Sequence, residues 1–276
     1  MPEVRVALAE AAERLGAAGI DSARWDAEQL AAHLLGVPRT ALPTVEHIDV
    51  AAYAALVARR ESREPLQHIV GSVGFRYIEV AVGSGVFVPR PETEVVAGAA
   101  IEAAKRTPRP RVVDLCSGSG AIALSIANEV PDAEVHAVEV DDDALEWLRR
   151  NARDTSVMLH HSDVSDALRE LDGTVDVVVS NPPYVALHEM ADVEPEVRDH
   201  DPHRARVAGD DGLDVLREVE RTARRLLRNG GTVVVEHSDR QGESVPALFG
   251  AGWTGVQDRT DLLGRPRFTV ATRMDA

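Results

Sequence analysis

Arg111-Val112-Val113-Asp114-Leu115-Cys116-Ser117-Gly118-Ser119-Gly120 reads as a valine-rich strand that runs into a glycine loop and opens a helix. Open α/β sheets bind their ligands at this place, outside the carboxyl end of a strand. Two glycines let the backbone pass close under a ligand with no Cβ in the way. A plain strand-to-helix turn uses the same residues, so the neighbours decide. Glu139 closes the next predicted strand, nineteen residues beyond Gly120, where a carboxylate can accept from both hydroxyls of a ribose. Loop and acid together point to a ligand that contains adenosine. Asp141, Asp142 and Asp143, just beyond, read as helix caps and first-turn charges.

Gly118-Ser119-Gly120-Ala121-Ile122-Ala123 also satisfies a loose dinucleotide pattern, so NAD stays open on the loop alone. Asp114 discriminates. An acid just before the loop is awkward beneath a pyrophosphate, but it suits a ligand that carries an amino group and a sulfonium cation.

Around this stretch strands alternate with helices. Strands are predicted at 111–115, 134–140, 157–160, 175–180, 231–237, 255–259 and 267–272, and helices at 120–129, 142–153, 212–227 and 241–249. Such alternation gives a largely parallel sheet covered on both faces. The aromatic content of 4% leaves that core to Ala, Val, Leu and Ile, which suits helices packed on parallel strands. Upstream, Val73–Tyr77 and Ile78–Val82 alternate like the two strands of a connector, and Pro91 is placed for the first turn of a helix reaching about Arg106. From Val4 to about Glu64 apolar residues recur at helical spacing. Asp21 or Ser22 can cap the second helix there, Gly36 and Pro38 stop it, and Asp49 can cap the third.

Val175-Asp176-Val177-Val178-Val179-Ser180 delivers Asn181-Pro182-Pro183-Tyr184 to the carboxyl edge of the sheet, beside the glycine loop if the two strands are neighbours. The prolines fix the backbone and lack N–H groups, so the Pro182 carbonyl can face outward as an acceptor. Asn181 adds a side-chain carbonyl. Two acceptors so spaced match the two N–H bonds of a primary amide or an aromatic amino group, and Tyr184 can stack on the planar face. An amide nitrogen is a poor nucleophile because its lone pair is delocalised. Hydrogen bonds drawn out of the amide plane favour a pyramidal nitrogen, while binding aligns it with the methyl donor.

With 46 acids against 30 bases the net charge is −16, and a protein that grips a long duplex by its phosphates presents a basic face instead. Extensive nucleic-acid binding is disfavoured; the arginines between Arg204 and Arg228 leave room for a local basic patch. A single cysteine, Cys116, rules out an intrachain disulfide and a multi-cysteine zinc site. Acidic and basic residues interrupt the N-terminus, and nowhere do eighteen apolar residues run together, so a soluble cytoplasmic protein without membrane partners is expected. His160 with His161, and His200 among Asp199, Asp201 and His203, match no defined metal spacing. His237 beside Glu236 reads as structural. The polar stretch from Tyr184 to Gly212 is long for a loop and fits a functional cover or a disordered segment.

Taken together these residues resemble the release factor glutamine methyltransferases, the HemK/PrmC family. The anchors are Glu64-Pro65-Leu66-Gln67-His68 with Gly71, Pro89-Arg90-Pro91-Glu92-Thr93-Glu94, Asp114 to Gly120, Asn181 to Tyr184, and Glu236-His237 with Gln241-Gly242. The tetrapeptide is shared with DNA and RNA amino-methyltransferases; the Pro-Arg-Pro-Glu-Thr stretch is the more selective. The resemblance implies an α/β fold with a Rossmann-like, seven-stranded, mostly parallel sheet of class I methyltransferase type over 89–276. It also implies a helical substrate-recognition domain over 1–70 and a β-hairpin connector over 71–88.

By position, Asp114, Cys116, Ser117, Gly118, Ser119 and Gly120 would hold the methionine part of S-adenosylmethionine, and Glu139 its ribose. Asp163 and Val164 would border adenine, with Asn181 and Thr93 also near the cofactor. Asn181, Pro182, Pro183 and Tyr184, with Arg90 and Glu92, would hold the glutamine of the Gly-Gly-Gln motif in class 1 peptide chain release factors. S-adenosylhomocysteine would be the product, and no metal is implied. Cys116 stands where the family often has glycine, and Val164 where some relatives carry an aromatic. A ribosomal protein is the nearest alternative substrate. Nucleic-acid amino-methylation and a non-catalytic or NAD-linked adenosine binder are the other classes.

Overall fold

A computed structural model describes residues 4–192, 196 and 208–275. The described residues form two compact units, one running through Ser72 and taking in Glu196, the other made of the remainder. The histidine and aspartate cluster around His200 lies outside the described residues.

In the larger unit, β3 (Arg111–Leu115), β4 (Glu134–Glu139), β5 (Met158–His161), β6 (Val175–Ser180), β7 (Leu227–Glu236), β8 (Trp253–Thr260) and β9 (Pro266–Arg273) form one sheet in the order β5-β4-β3-β6-β7-β9-β8. The first five pair in parallel, and β9 runs antiparallel to both β7 and β8. Consecutive strands step outward one way from β3 to β5 and the other way from β6, so the topological switch falls between β3 and β6. Alternate side chains divide between the faces. Val112, Val177, Val179 and Val234 pack with the helices α5 (Pro91–Ala104) and α6 (Ala121–Glu129) and with residues of α7 (Asp142–Ala152). Val113, Val178, Val233 and Val235 pack with Leu216, Val219, Ala223 and Leu226 of α8 (Asp214–Leu226). Both faces are thus covered, which is why β3, β6 and β7 carry consecutive valines.

The connector is a two-stranded hairpin, β1 (Ser72–Phe75) with β2 (Ile78–Ala81). Asn151 ties it to the glycine loop: its amide accepts from Ala81 N at 3.0 Å and donates to the carbonyls of Ala81 and Ser119, both at 2.9 Å.

The smaller unit contains α1 (Val4–Ala17), α2 (Ala23–Leu35), α3 (Val50–Glu61) and a short α4 (Leu66–Val70) around a core that includes Leu8, Leu15, Leu30 and Val57. Asp49 caps α3, accepting from Ala51 N and Ala52 N. Ser22 makes no cap bond; its hydroxyl donates to Asp26 at 2.7 Å, helping hold a buried carboxylate that Arg60 meets at 2.7 Å.

One expected helix is absent. In place of a helix over 241–249 there are two single 3₁₀ turns, Asp239–Gln241 and Pro246–Leu248. Gly242 weakens the helix, and Pro246 both removes a backbone donor and disfavours the helical conformation at Val245.

Gly120 is where the loop needs glycine most. Its φ is +90°, and a Cβ there would stand 2.6 Å from Leu148 Cδ1. Gly120→Ala is expected to lower the melting temperature by about 5 °C or more, from overpacking combined with a left-handed backbone. An unchanged thermal melt would contradict the tight packing of α7 against this loop.

Candidate active site

Parallel pairing sets Leu115 opposite Ser180, the last residues of β3 and β6. The Ser180 hydroxyl donates to the Leu115 carbonyl at 2.7 Å in the fully buried interior. The glycine loop and the Asn181 tetrapeptide therefore leave the same sheet edge side by side, at the switch point where such sheets take ligands.

Three of the five loop residues from 116 to 120 have left-handed backbones: Cys116 at φ +59°, Gly118 at +55° and Gly120 at +90°. Cys116 so occupies a conformation that normally asks for glycine, the kind of strain found at functional loops. Burial pushes its thiol upward, keeping it protonated and inert. The Ser117 hydroxyl folds back on the Asp114 carbonyl at 2.9 Å, and Ser119 is buried. A Cβ on Gly118 would meet nothing within 4 Å, so there the loop faces open space.

Glu139 braces this loop from β4. Its Oε2 accepts from Gly118 N at 2.8 Å, and its Oε1 accepts from Val140 N at 2.8 Å and Asp141 N at 2.9 Å. Of about four lone-pair directions on a carboxylate, three are taken by backbone, leaving one on Oε2. Glu139 thus shapes the loop itself, and one ribose hydroxyl fits it more naturally than two.

Asp114 is fully buried. Its Oδ2 accepts from Ala123 N at 3.2 Å, while Oδ1 has no partner. Loss of solvent, with a smaller push from the Glu139 charge, raises this carboxyl to about 8. A buried carboxyl with an unused oxygen under an open glycine loop fits a ligand that brings a cationic amino group.

At the tetrapeptide, Asn181 Nδ2 donates to the Thr93 hydroxyl at 3.2 Å. Among the described residues no group donates to Asn181 Oδ1 or to the carbonyl of the buried Pro182, so two acceptors are left for a ligand. Pro183 is half-buried. The Tyr184 hydroxyl donates to Glu236 Oε1 at 3.4 Å, and its carbonyl accepts from Gln241 Nε2 at 3.2 Å. Gln241 also donates to Gly212 O at 3.2 Å, clasping both ends of the long connection. Burial pushes the Tyr184 hydroxyl up, so it remains a donor.

Thr93 was expected near the cofactor; its hydroxyl lies on Asn181. Arg90 is the N-cap residue of α5 and stacks over Phe87, and Glu92 accepts from Arg265 at 3.2 Å. Asp163 caps the turn after β5 by accepting from Ser165 N at 3.0 Å. The Val164 side chain is buried in the α8-side core, and its carbonyl accepts from Thr222 at 2.9 Å. Buried His237 holds the Ser238 carbonyl at 2.9 Å through Nδ1, and burial lowers its basicity, which suits a structural role.

The described arginines from Arg217 to Arg228 are all paired. Arg217 meets Asp211 and Asp214, Arg221 meets Glu218, Arg224 meets Glu220, Arg225 meets Asp172 and Arg228 meets Asp176. That stretch carries no free basic patch. Among the described residues no three His, Cys, Asp or Glu side chains are grouped to hold a metal, and no helix is long and apolar enough to cross a membrane.

Two family models match the chain, the PrmC N-terminal domain over residues 6–71 and the methyltransferase small domain over 81–198. The chain is 55% identical to a release factor glutamine methyltransferase of Streptomyces coelicolor, over 96% of each. It belongs to the release factor glutamine methyltransferase family. Another member, from Mycolicibacterium smegmatis, is 48% identical over 99% of each chain. A 4-amino-L-phenylalanine/4-methylamino-L-phenylalanine methyltransferase of Streptomyces pristinaespiralis is 44% identical, over 94% of this chain and 91% of its own. The relatives of this chain thus include a protein named for an aromatic amine.

The raised Asp114 carboxyl gives a test of the family's loop in this chain. A carboxyl near 8 when folded and near 3.8 when exposed costs stability as pH climbs from about 4 to 8, because folding then opposes its ionisation. Asp114→Asn is expected to melt above the wild-type protein, by a margin that widens from pH 5 to pH 8, while S-adenosylmethionine affinity measured by calorimetry falls. A margin that does not vary with pH would show that Asp114 is not the strained group.

Proposed function

We propose that this enzyme methylates the side-chain amide nitrogen of the glutamine in the Gly-Gly-Gln motif of class 1 peptide chain release factors. S-adenosylmethionine is the methyl donor and S-adenosylhomocysteine the product. One observation carries the proposal: a pair of unused acceptors, Asn181 Oδ1 and Pro182 O, beside an open glycine loop, in a chain 55% identical to a release factor glutamine methyltransferase.

Asp114 would take the cofactor's amino group on Oδ1, Cys116 to Gly120 would run beneath its methionine part, and Glu139 would take a ribose hydroxyl on Oε2. The turn at Asp163 and the backbone of Val164 would border the adenine. When bound, the cofactor supplies an electrophilic methyl group. Asn181 and Pro182 accept the two amide N–H bonds and draw the nitrogen toward a pyramidal geometry, and the Tyr184 ring covers the planar face. Fixing nitrogen against the donor removes most of the entropy of encounter. The departing proton becomes acidic as the new bond forms, so no strong base is required. Arg90 and Glu92, in the Pro89–Glu94 stretch, would border the path of the incoming polypeptide.

The same acceptors fit an aromatic amino group, so the substrate must be tested against that class. Stable nucleic-acid binding is not expected, because the −16 charge and the paired arginines leave little to hold phosphates. The site of action is the cytoplasm, where release factors work.

Labelled S-adenosylmethionine offered with a class 1 release factor, 4-amino-L-phenylalanine or DNA should mark the release factor alone, and replacing the motif glutamine by alanine should abolish the mark. Label on the amino acid or on DNA, with none on the factor, would overturn the assignment. Asn181→Ala should lower turnover by about a hundredfold or more while cofactor affinity changes little, since it removes an interaction with the reacting nitrogen. Undiminished transfer would refute the clamp.

A further inference from the structure

Gln241 ends the 3₁₀ turn that follows β7, and its side chain is buried. Its Oε1 accepts from Ser238 N at 3.0 Å, and its Nε2 donates to Tyr184 O and to Gly212 O, both at 3.2 Å. The orientation is unambiguous. Ser238 N can only donate and the two carbonyls can only accept, so the amide oxygen must face the turn and the nitrogen must face the carbonyls. Both protons of the nitrogen are engaged. The transfer chemistry above makes no use of this amide, although it holds one end of the clamp.

β6 and β7 are neighbours, with Ser180 opposite Val235, so the turn after β7 stands beside the tetrapeptide that leaves β6. At its start the tetrapeptide is fixed by Ser180, whose hydroxyl donates to Leu115 O at 2.7 Å. Pro182 and Pro183 have restricted φ but no N–H with which to fasten themselves. The direction of the Pro182 carbonyl therefore follows from where the two ends are held, and Gln241 holds the second. Gly212 comes equally close: its φ is +71°, and a Cβ there would stand 2.5 Å from Tyr184 O. Just beyond, Ala208 N donates to Val185 O and Leu187 N to Gly209 O, both at 3.1 Å. The ends of the long connection are thus laced together where the tetrapeptide finishes.

We propose that Gln241 is a positioning residue that pins the Tyr184 carbonyl and so sets the aim of the Pro182 carbonyl and the Tyr184 ring on the target nitrogen. The inference rests on Asn181 and Pro182 being the amide clamp, and adds to it the group that holds the clamp's far end. Slack of about 1 Å at a reacting centre costs on the order of a hundredfold in rate. Releasing Tyr184 gives such slack, while the glycine loop keeps its own braces from Glu139 and Asn151. The loss should fall on turnover and spare cofactor binding.

Three variants decide the matter, each assayed as the full chain with a class 1 release factor and S-adenosylmethionine, with rates taken per folded enzyme. Gln241→Met keeps the length of the side chain and deletes the amide. Its kcat should fall by about tenfold or more, with S-adenosylhomocysteine affinity within about twofold of wild type by calorimetry. Gln241→Glu keeps the shape, but its carboxylate turns an acceptor on two carbonyls. Once protonated it donates to one of them, so its kcat relative to wild type should climb as pH falls from about 8 to about 6. A wild-type kcat in Gln241→Met with only a lower melting temperature, or a Gln241→Glu rate ratio that does not move with pH, would overturn the proposal. If Gln241→Met does not fold, that ratio decides. Loss of transfer in Asn181→Ala alongside a wild-type kcat in Gln241→Met would leave the clamp standing and remove Gln241 from it, whereas full transfer in Asn181→Ala would remove the clamp itself.

Discussion

Everything at the reacting edge depends on how β3 and β6 are paired. Leu115 and Ser180 stand opposite one another, and the buried hydrogen bond from Ser180 Oγ to Leu115 O seals the end of that pairing. A register slip of one residue would turn each valine of β6 to the other face of the sheet. It would also displace Asn181 from the glycine loop by about 3.3 Å, the rise of a parallel strand. The core thereby protects the site: Val177 and Val179 belong under α5 while Val178 belongs under α8, and a one-residue slip would put each on the wrong face.

On that frame the protein keeps two buried carboxyls at a cost. Asp114 and Glu236 both lie well above the ordinary carboxylate range because they are cut off from water. In a fold built for stability alone such groups would be replaced by apolar ones. Each also has one oxygen without a partner, one at the end of β3 just before the glycine loop and the other beside Tyr184. Glu139 is buried on different terms, with three backbone N–H groups satisfying it. It holds the loop in shape whether or not a ligand is present. The glycine loop and the tetrapeptide leave neighbouring strands, and the relatives of this chain include proteins named for a protein glutamine and for an aromatic amine.

Much of this was legible in the sequence because it is local. Valine runs bounded by glycine and acid announced the parallel strands, and the tetrapeptide's prolines and the loop's glycines announced special backbone. What sequence spacing could not show is contact across distance. Thr93 meets Asn181 from 88 residues away, and Glu236 reaches Tyr184 across 52. Gln241 was expected to open a helix, yet it ends a 3₁₀ turn and uses its amide to hold Tyr184 O and Gly212 O. β7 starts at Leu227, earlier than the expected 231, because the chain pairs with Val175 before an irregularity and resumes at Val177. A glycine pair hid that continuation. Val164 carries no sign in sequence of its burial beneath Thr222 of α8.

The measurement closest to the central claim is a crystal structure of this protein with S-adenosylhomocysteine and a peptide containing Gly-Gly-Gln. The glutamine amide nitrogen is expected within hydrogen-bonding distance of both Asn181 Oδ1 and Pro182 O, with the cofactor's amino group on Asp114 Oδ1. A glutamine held elsewhere, or an Asn181 carboxamide presenting Nδ2 to it, would contradict the account.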